Sequence, residues 1–145
     1  MKIYELTHTY YIFDGEPCYS NKLLGYFDSF EKVNDAIQYY ITRPGYCDSP
    51  KGFVVRIRDV YGEVKNQTVY CAEVYAHSFD YVNYEQYFDL GIYADKAEAD
   101  QAIEEFRRLN SLFLSNEKLE IEIYEAGTVI INHKYQTDGF DVEEI

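Results

Sequence analysis

Tryptophan is absent from the chain, methionine occurs once, and proline and cysteine occur three times each in 145 residues. The cysteines, Cys18, Cys47 and Cys71, are odd in number and far apart. Without a C-x-x-C pair they offer neither a structural zinc site nor a redox dithiol. They are expected to be free, buried thiols of a reducing compartment. No apolar run approaches the roughly 20 residues of a membrane helix. The opening MKIYELTHTYYIF alternates like a strand and does not read as a signal peptide, so a soluble, cytoplasmic protein is expected. Asn66-Gln67-Thr68 matches a glycosylation acceptor, which has no meaning without secretion.

Catalytic motifs are missing as well. There is no G-x-G-x-x-G, no Walker pattern, no nucleophile elbow and no H-x-x-x-H, so neither an enzyme nor a cofactor is expected. Gly25 and Gly91 precede helices, but in strands such glycines mark bulges or close packing. The histidines are His8, His77 and His133, and the first two sit in similar settings, His8-Thr9-Tyr10 and His77-Ser78-Phe79. With no second ligand nearby they read as structural, with no metal.

Basic residues are scarce too, 13 Lys+Arg against 26 Asp+Glu, a net charge of −13. The imbalance is uneven: residues 1–65 hold 8 against 9, and residues 66–145 hold 5 against 17. Direct nucleic-acid binding needs a basic footprint and is disfavoured. A one-sided acidic field can steer a basic protein, or can serve solubility alone.

What the chain has in quantity is tyrosine, 17 residues. Tyr70, Tyr75, Tyr81, Tyr84, Tyr87 and Tyr93 crowd one stretch, together with Asp80, Glu85 and Asp89. Tyrosine joins an apolar body to a polar tip, which suits interfaces and half-covered sheet faces alike. Tyr75, Tyr81, Tyr84, Glu85, Tyr87, Asp89, Glu120 and Glu122 are therefore the candidate interaction surface. The alternative is an aromatic sheet face packed under its own helices.

An internal repeat at an offset of 66 residues organises the pattern. Leu24-Gly25-Tyr26-Phe27 matches Leu90-Gly91-Ile92-Tyr93, Ala36-Ile37 matches Ala102-Ile103, and Tyr40 matches Phe106. Without a gap, Phe53, Val55 and Ile57 fall on Leu119, Ile121 and Ile123; the His8 and His77 stretches match after a three-residue length change. Val33, Ala36, Ile37, Tyr40 and Ile41 form a helical stripe, capped by Asp28 or Ser29 and stopped by Pro44-Gly45. Ala99, Ala102, Ile103, Phe106 and Leu109 form another, opened by Asp95 and Glu98 as a capping box.

Strands are expected near 2–13, 22–28, 52–61, 67–79, 86–93, 118–126 and 128–135, with turns at Tyr61-Gly62-Glu63 and Ala126-Gly127-Thr128. The expected class is α+β. It is a single domain of two tandem strand–strand–helix–strand repeats, about 1–65 and 66–145, with a largely antiparallel sheet and both helices on one face. Arg56 and Arg58 on one third strand would complement Glu120 and Glu122 on the other if those strands were neighbours.

The first half carries a resemblance. His8-Thr9-Tyr10, Leu24-Gly25-Tyr26-Phe27, Ala36-Ile37, Pro44-Gly45-Tyr46 and Pro50-Lys51-Gly52-Phe53 resemble a small bacterial domain of unknown function. Its members read H-x-Y, L-I-G-x-Y, a helix, P-G-F-x-x-x-P-x-G-F and W-x-E-G-F. Thr137-Asp138-Gly139-Phe140 is similar to the last element, with Tyr135 near the tryptophan position. The resemblance covers residues 4–58 and implies no activity.

The function expected from all this is non-enzymatic binding of a basic protein, in the manner of an immunity or inhibitor protein. Two alternatives stand: a small-molecule sensor with a tyrosine-lined pocket between the repeats, and a self-associating structural domain that forms a homodimer.

Overall fold

A computed structural model describes residues 1–13, 16–78, 85–110, 119–123 and 125–134; side chains are described for 1–10, 21–75, 87–110 and 125–134. The described elements are β1 (Lys2–Phe13), β2 (Glu16–Phe27), α1 (Phe30–Tyr40), β3 (Phe53–Tyr61), β4 (Thr68–Ser78), β5 (Glu85–Tyr93), α2 (Lys96–Leu109), β6 (Leu119–Ile123) and β7 (Gly127–Ile130). The class is α+β and the strands are mixed, because β3 runs parallel to β5 while the pairs β1–β2, β4–β5 and β4–β6 are antiparallel. No helix among the described residues is long and apolar enough to cross a membrane.

The chain forms two compact units. The first holds Lys2–Arg58 and the described residues from Ile130 onward; the second holds Met1 and Asp59–Val129. β3 contributes to both.

In the first unit the strand order is β2-β1-β3. Ser29 caps α1, its Oγ accepting from Lys32 N–H at 3.3 Å. The stripe Val33, Ala36 and Tyr40 is buried against Leu6, Leu24, Phe27 and Tyr46. α1 ends at Tyr40, ahead of Pro44. The following loop returns to the core: Tyr46 is fully buried, its ring 5.1 Å from Tyr40 and 4.9 Å from His8. Thr9 N–H donates to Gly52 O at 2.9 Å, joining that loop to β1. Of the P-G-Y and P-K-G-F landmarks, Gly45, Tyr46 and Gly52 are buried and Phe53 packs against the core, while Pro44, Pro50 and Lys51 are exposed.

Asn132 ties the late segment to β2 in this unit. It adopts a left-handed backbone (φ 68) and its N–H donates to Tyr26 O at 2.7 Å. Its side chain accepts from Asp28 N–H and donates to Asp28 Oδ2, both at 3.1 Å. Asn132→Ala removes both side-chain bonds and adds strain at φ > 0. It is expected to cost about 1–3 kcal/mol, read as a melting temperature several degrees lower.

In the second unit the order is β3-β5-β4-β6, with β7 also on β4. α2 is capped by Asp95, which accepts from Ala97 N–H at 3.3 Å, and Arg107 and Arg108 occupy its last turn. Ala99 and Ile103 pack with Ala72, Val74 and Ala126, flanked by Phe88, Leu90 and Phe106. β3 and β6 thus stand on opposite sides of β5 and β4, so the expected pairing of Arg56 and Arg58 with Glu120 and Glu122 does not occur. Arg58 instead meets Glu5 on β1 at 2.9 Å, both nearly buried. The turn expected at Ala126-Gly127-Thr128 does not join neighbours either, since β6 and β7 both lie on β4. A tight turn stands instead at Asn66-Gln67, both with positive φ (55 and 54), closed by Thr68 N–H to Lys65 O at 3.1 Å.

The pairs β1–β2 and β4–β5 each carry a bulge, at positions 66 residues apart. On β1 and β2 the register passes from Leu6↔Gly25 to Thr7↔Leu23 across a bulge; on β4 and β5 it passes from Ala72↔Gly91 to Glu73↔Asp89. Gly25 (φ 150) and Gly91 (φ 115) take backbone conformations that L side chains rarely adopt, each at its bulge. Counted from these bulges, Val74 stands at the position that His8 has, and His77 three residues beyond it. The third strands differ as well. Hydrogen bonds Thr9 N–H to Gly52 O and Val60 N–H to Met1 O place Phe53 across from His8, whereas Ile123 stands across from Val74. Counted in the same way, Ile123 rather than Leu119 stands at the position that Phe53 has. The slip is even, so the apolar face is kept.

Candidate functional site

β4 and β5 of the second unit alternate cleanly around their bulge. Val74 and Phe88 point to α2, so Glu73, Tyr75, Tyr87 and Asp89 point the other way. Tyr75 and Tyr87 are direct cross-strand partners, 42% and 45% exposed, with ring centroids 5.1 Å apart. Tyr87 OH donates to Glu73 Oε1 at 2.6 Å, which fixes the ring's tip. Asp89 Oδ1 accepts from Gly91 N–H at 3.1 Å and is held at the bulge. Toward the β3 end the same face turns apolar, with Val60, Val69, Cys71 and Ile92 buried.

The register extends the polar end by backbone position. Glu122 lies across from Tyr75, and Glu85 and Glu120 lie across from His77 on either side. Six of the eight residues expected at the surface, Tyr75, Glu85, Tyr87, Asp89, Glu120 and Glu122, thereby occupy one pleat face. Tyr81 and Tyr84 lie outside the described residues. Glu73, which no sequence motif marks, joins the set because it shares the parity of Tyr75 on β4.

β4, β5 and β6 contain no Lys or Arg. Glu73 stands directly across from Asp89 in the register. The remaining tyrosines divide. Tyr26, Tyr40 and Tyr46 are core, while Tyr4, Tyr39, Tyr70 and Tyr93 flank it. In the first unit both faces of Tyr39 carry a cation, Arg43 at 3.9 Å and Lys134 at 4.0 Å from the ring centroid. Tyrosine faces in this chain do receive cationic groups.

The side chain of His77 lies outside the described residues, and the other two histidines differ in setting. His8 is fully buried in the first unit, its Nε2–H donating to Ser49 O at 2.9 Å, while His133 is exposed. Burial, aided by the positive field of Lys22, holds His8 below its ordinary pKa of 6.5 despite the Ser49 bond. The folded protein thus binds this proton less readily than the unfolded chain. Stability is full above about pH 6.5 and falls as pH drops from there through the folded pKa. Asp28, held low chiefly by Lys32 and Asn132, acts only below 3.8, so the windows separate. Melting temperatures between pH 7 and 5 should fall less steeply in His8→Gln than in the native chain.

No group of three His, Cys, Asp or Glu among the described residues could hold a metal. Cys71 is buried as expected, but Cys47 is exposed on the 44–52 loop, since Tyr46 takes the inward position beside it. No tyrosine lines the groove beside α1, whose walls are Phe30, Glu31, Val33, Asn34, Ile37 and Val55. The chain matches no family model, no curated protein and no solved structure.

Proposed function

We propose that the chain is a non-enzymatic binding module for a basic protein, of the immunity or inhibitor kind, and that the face of β5-β4-β6 turned away from α2 makes the contact. One observation carries this reading. An exposed tyrosine pair sits among carboxylates on strands without a single Lys or Arg. Such a face suits arginine side chains, which stack on tyrosine and take carboxylates in bidentate pairs. Carboxylates at the rim raise association rates by steering. The two ββαβ halves are, in this reading, copies of one unit, of which the second has diverged into the binding half. The common bulge at Gly25 and Gly91 and the equivalent caps at Ser29 and Asp95 support duplication.

The test is affinity capture with the native chain and with a form neutralised at Glu85, Asp89, Glu120 and Glu122. A basic protein retained at low salt, released by high salt and lost by the neutralised form is the expected result. Binding that ignores salt, or survives neutralisation, contradicts it.

A further inference from the structure

The helices of the two units begin at equivalent points, just after Ser29 and Asp95. Their flanks differ. Along α2, Ala99 and Ile103 are buried, and Ala126, only 5% exposed, packs with them. Ala126 gets there because the path along β4 breaks between β6 and β7. Its N–H donates to Asp100 Oδ1 at 3.1 Å. Lys96 pairs with that same Asp100 at 2.8 Å and with Glu125 at 3.7 Å. A short piece of extended backbone with a small side chain thus closes the flank of α2.

The counterparts on α1 are Phe30 for Lys96, Val33 for Ala99, Asn34 for Asp100 and Ile37 for Ile103. Here β3 runs unbroken from Phe53 to Tyr61, and nothing equivalent to Ala126 arrives from it. A groove of about 310 Å³ stays open between α1 and Val55. Phe30 is 61% exposed, and Ile37 is half-buried where Ile103 is buried. The second unit therefore displays what the first unit's groove is shaped to take.

We propose that this groove binds an extended peptide segment of a partner protein. The segment seats a small or branched aliphatic side chain against Val33, Ile37 and Val55 and lays its backbone along Asn34. The Asn34 carboxamide can accept a peptide N–H, as Asp100 does, and can also donate to a peptide C=O. A pure hydrocarbon ligand would leave both unused. The charge at the groove differs from that beside α2: Phe30 and Asn34 replace the paired Lys96 and Asp100, and the one ionised residue of the lining is Glu31. The matching segment accordingly carries Lys or Arg beside its aliphatic anchor, where Ala126 has Glu125. This binding uses the first unit alone and does not depend on the acidic face of the second.

The test pans the full chain against displayed random short peptides, then measures the best enriched peptide, synthesised, by fluorescence polarisation. Enrichment of an aliphatic–basic pair is expected, with affinity weakened about tenfold by Asn34→Ala and by Phe30→Ala. Asn34 is exposed, so its variant should melt like the native chain, whereas Phe30→Ala gives up a ring contact with Tyr4 at 4.8 Å and should melt slightly lower. Glu73→Gln with Asp89→Asn should leave this affinity unchanged, which separates failure here from failure of the acidic-face reading. Amide shifts in α1 and the start of β3 should accompany binding. The proposal is overturned by enriched peptides lacking that pair, by affinity indifferent to both alanine variants, or by shifts elsewhere. Groove shifts that follow protein concentration alone would also overturn it, since a second copy would then be the occupant.

Discussion

Gly52→Ala is expected to remove a large share of the stability of the fold. A Cβ at Gly52 would stand 2.0 Å from Thr9 O and 3.0 Å from His8 Nε2. The first neighbour is backbone and cannot rotate away, so β1 and the 44–52 loop must separate. That separation stretches the Thr9 N–H to Gly52 O bond and disturbs the His8, Tyr46 and Phe53 rings beneath it. Overpacking and a lost buried hydrogen bond together predict about 3–5 kcal/mol, against a total of roughly 5–15 kcal/mol for such a domain. Gly127→Ala is the control, because a Cβ there meets nothing within 4 Å. Urea unfolding should show a large fall in midpoint for the first variant and almost none for the second.

The second large effect is on binding. Tyr75→Ala and Tyr87→Ala each remove an exposed aromatic anchor, and anchors of this kind cost about 2 kcal/mol or more when truncated. Each should therefore weaken the complex by about thirtyfold. Glu73→Gln and Asp89→Asn act differently. They remove the charge but keep an acceptor oxygen for Tyr87 OH and Gly91 N–H, so stability should stay within about half a kcal/mol while association slows. Surface plasmon resonance paired with thermal melts separates the two: unchanged melting with slower association marks carboxylates that serve the partner. A fall in stability together with binding would mean that the carboxylates serve the fold.

Much of this was legible from the residues. The two helical stripes apart from Leu109, which is 67% exposed, Ser29 and Asp95 as caps, and the bulge glycines follow from local rules that tertiary packing did not override. The candidate face was legible because parity alone sorts Tyr75, Tyr87 and Asp89 from Val74 and Phe88. What escaped was non-local. The slip of the third strand by an even number of residues leaves the hydrophobic alternation intact, so no pattern betrays it. The same holds for Arg58, whose partner Glu5 lies across the sheet on β1. Asn66-Gln67 gave no glycine signal for its turn, and the inward role of Tyr46, which leaves Cys47 exposed, depends on the loop's return to His8. Glu73 stayed hidden because its meaning comes only from standing across from Asp89.

The central claim is that the tyrosine–carboxylate face of β4 and β5 makes the contact. Hydroxyl-radical footprinting of the captured complex tests it directly, since exposed tyrosines label readily. Tyr75 and Tyr87 should lose their labelling on binding, while Tyr61 and Leu109, 57% and 67% exposed, keep theirs. Undiminished labelling of Tyr75 and Tyr87 in a saturated complex would contradict the account.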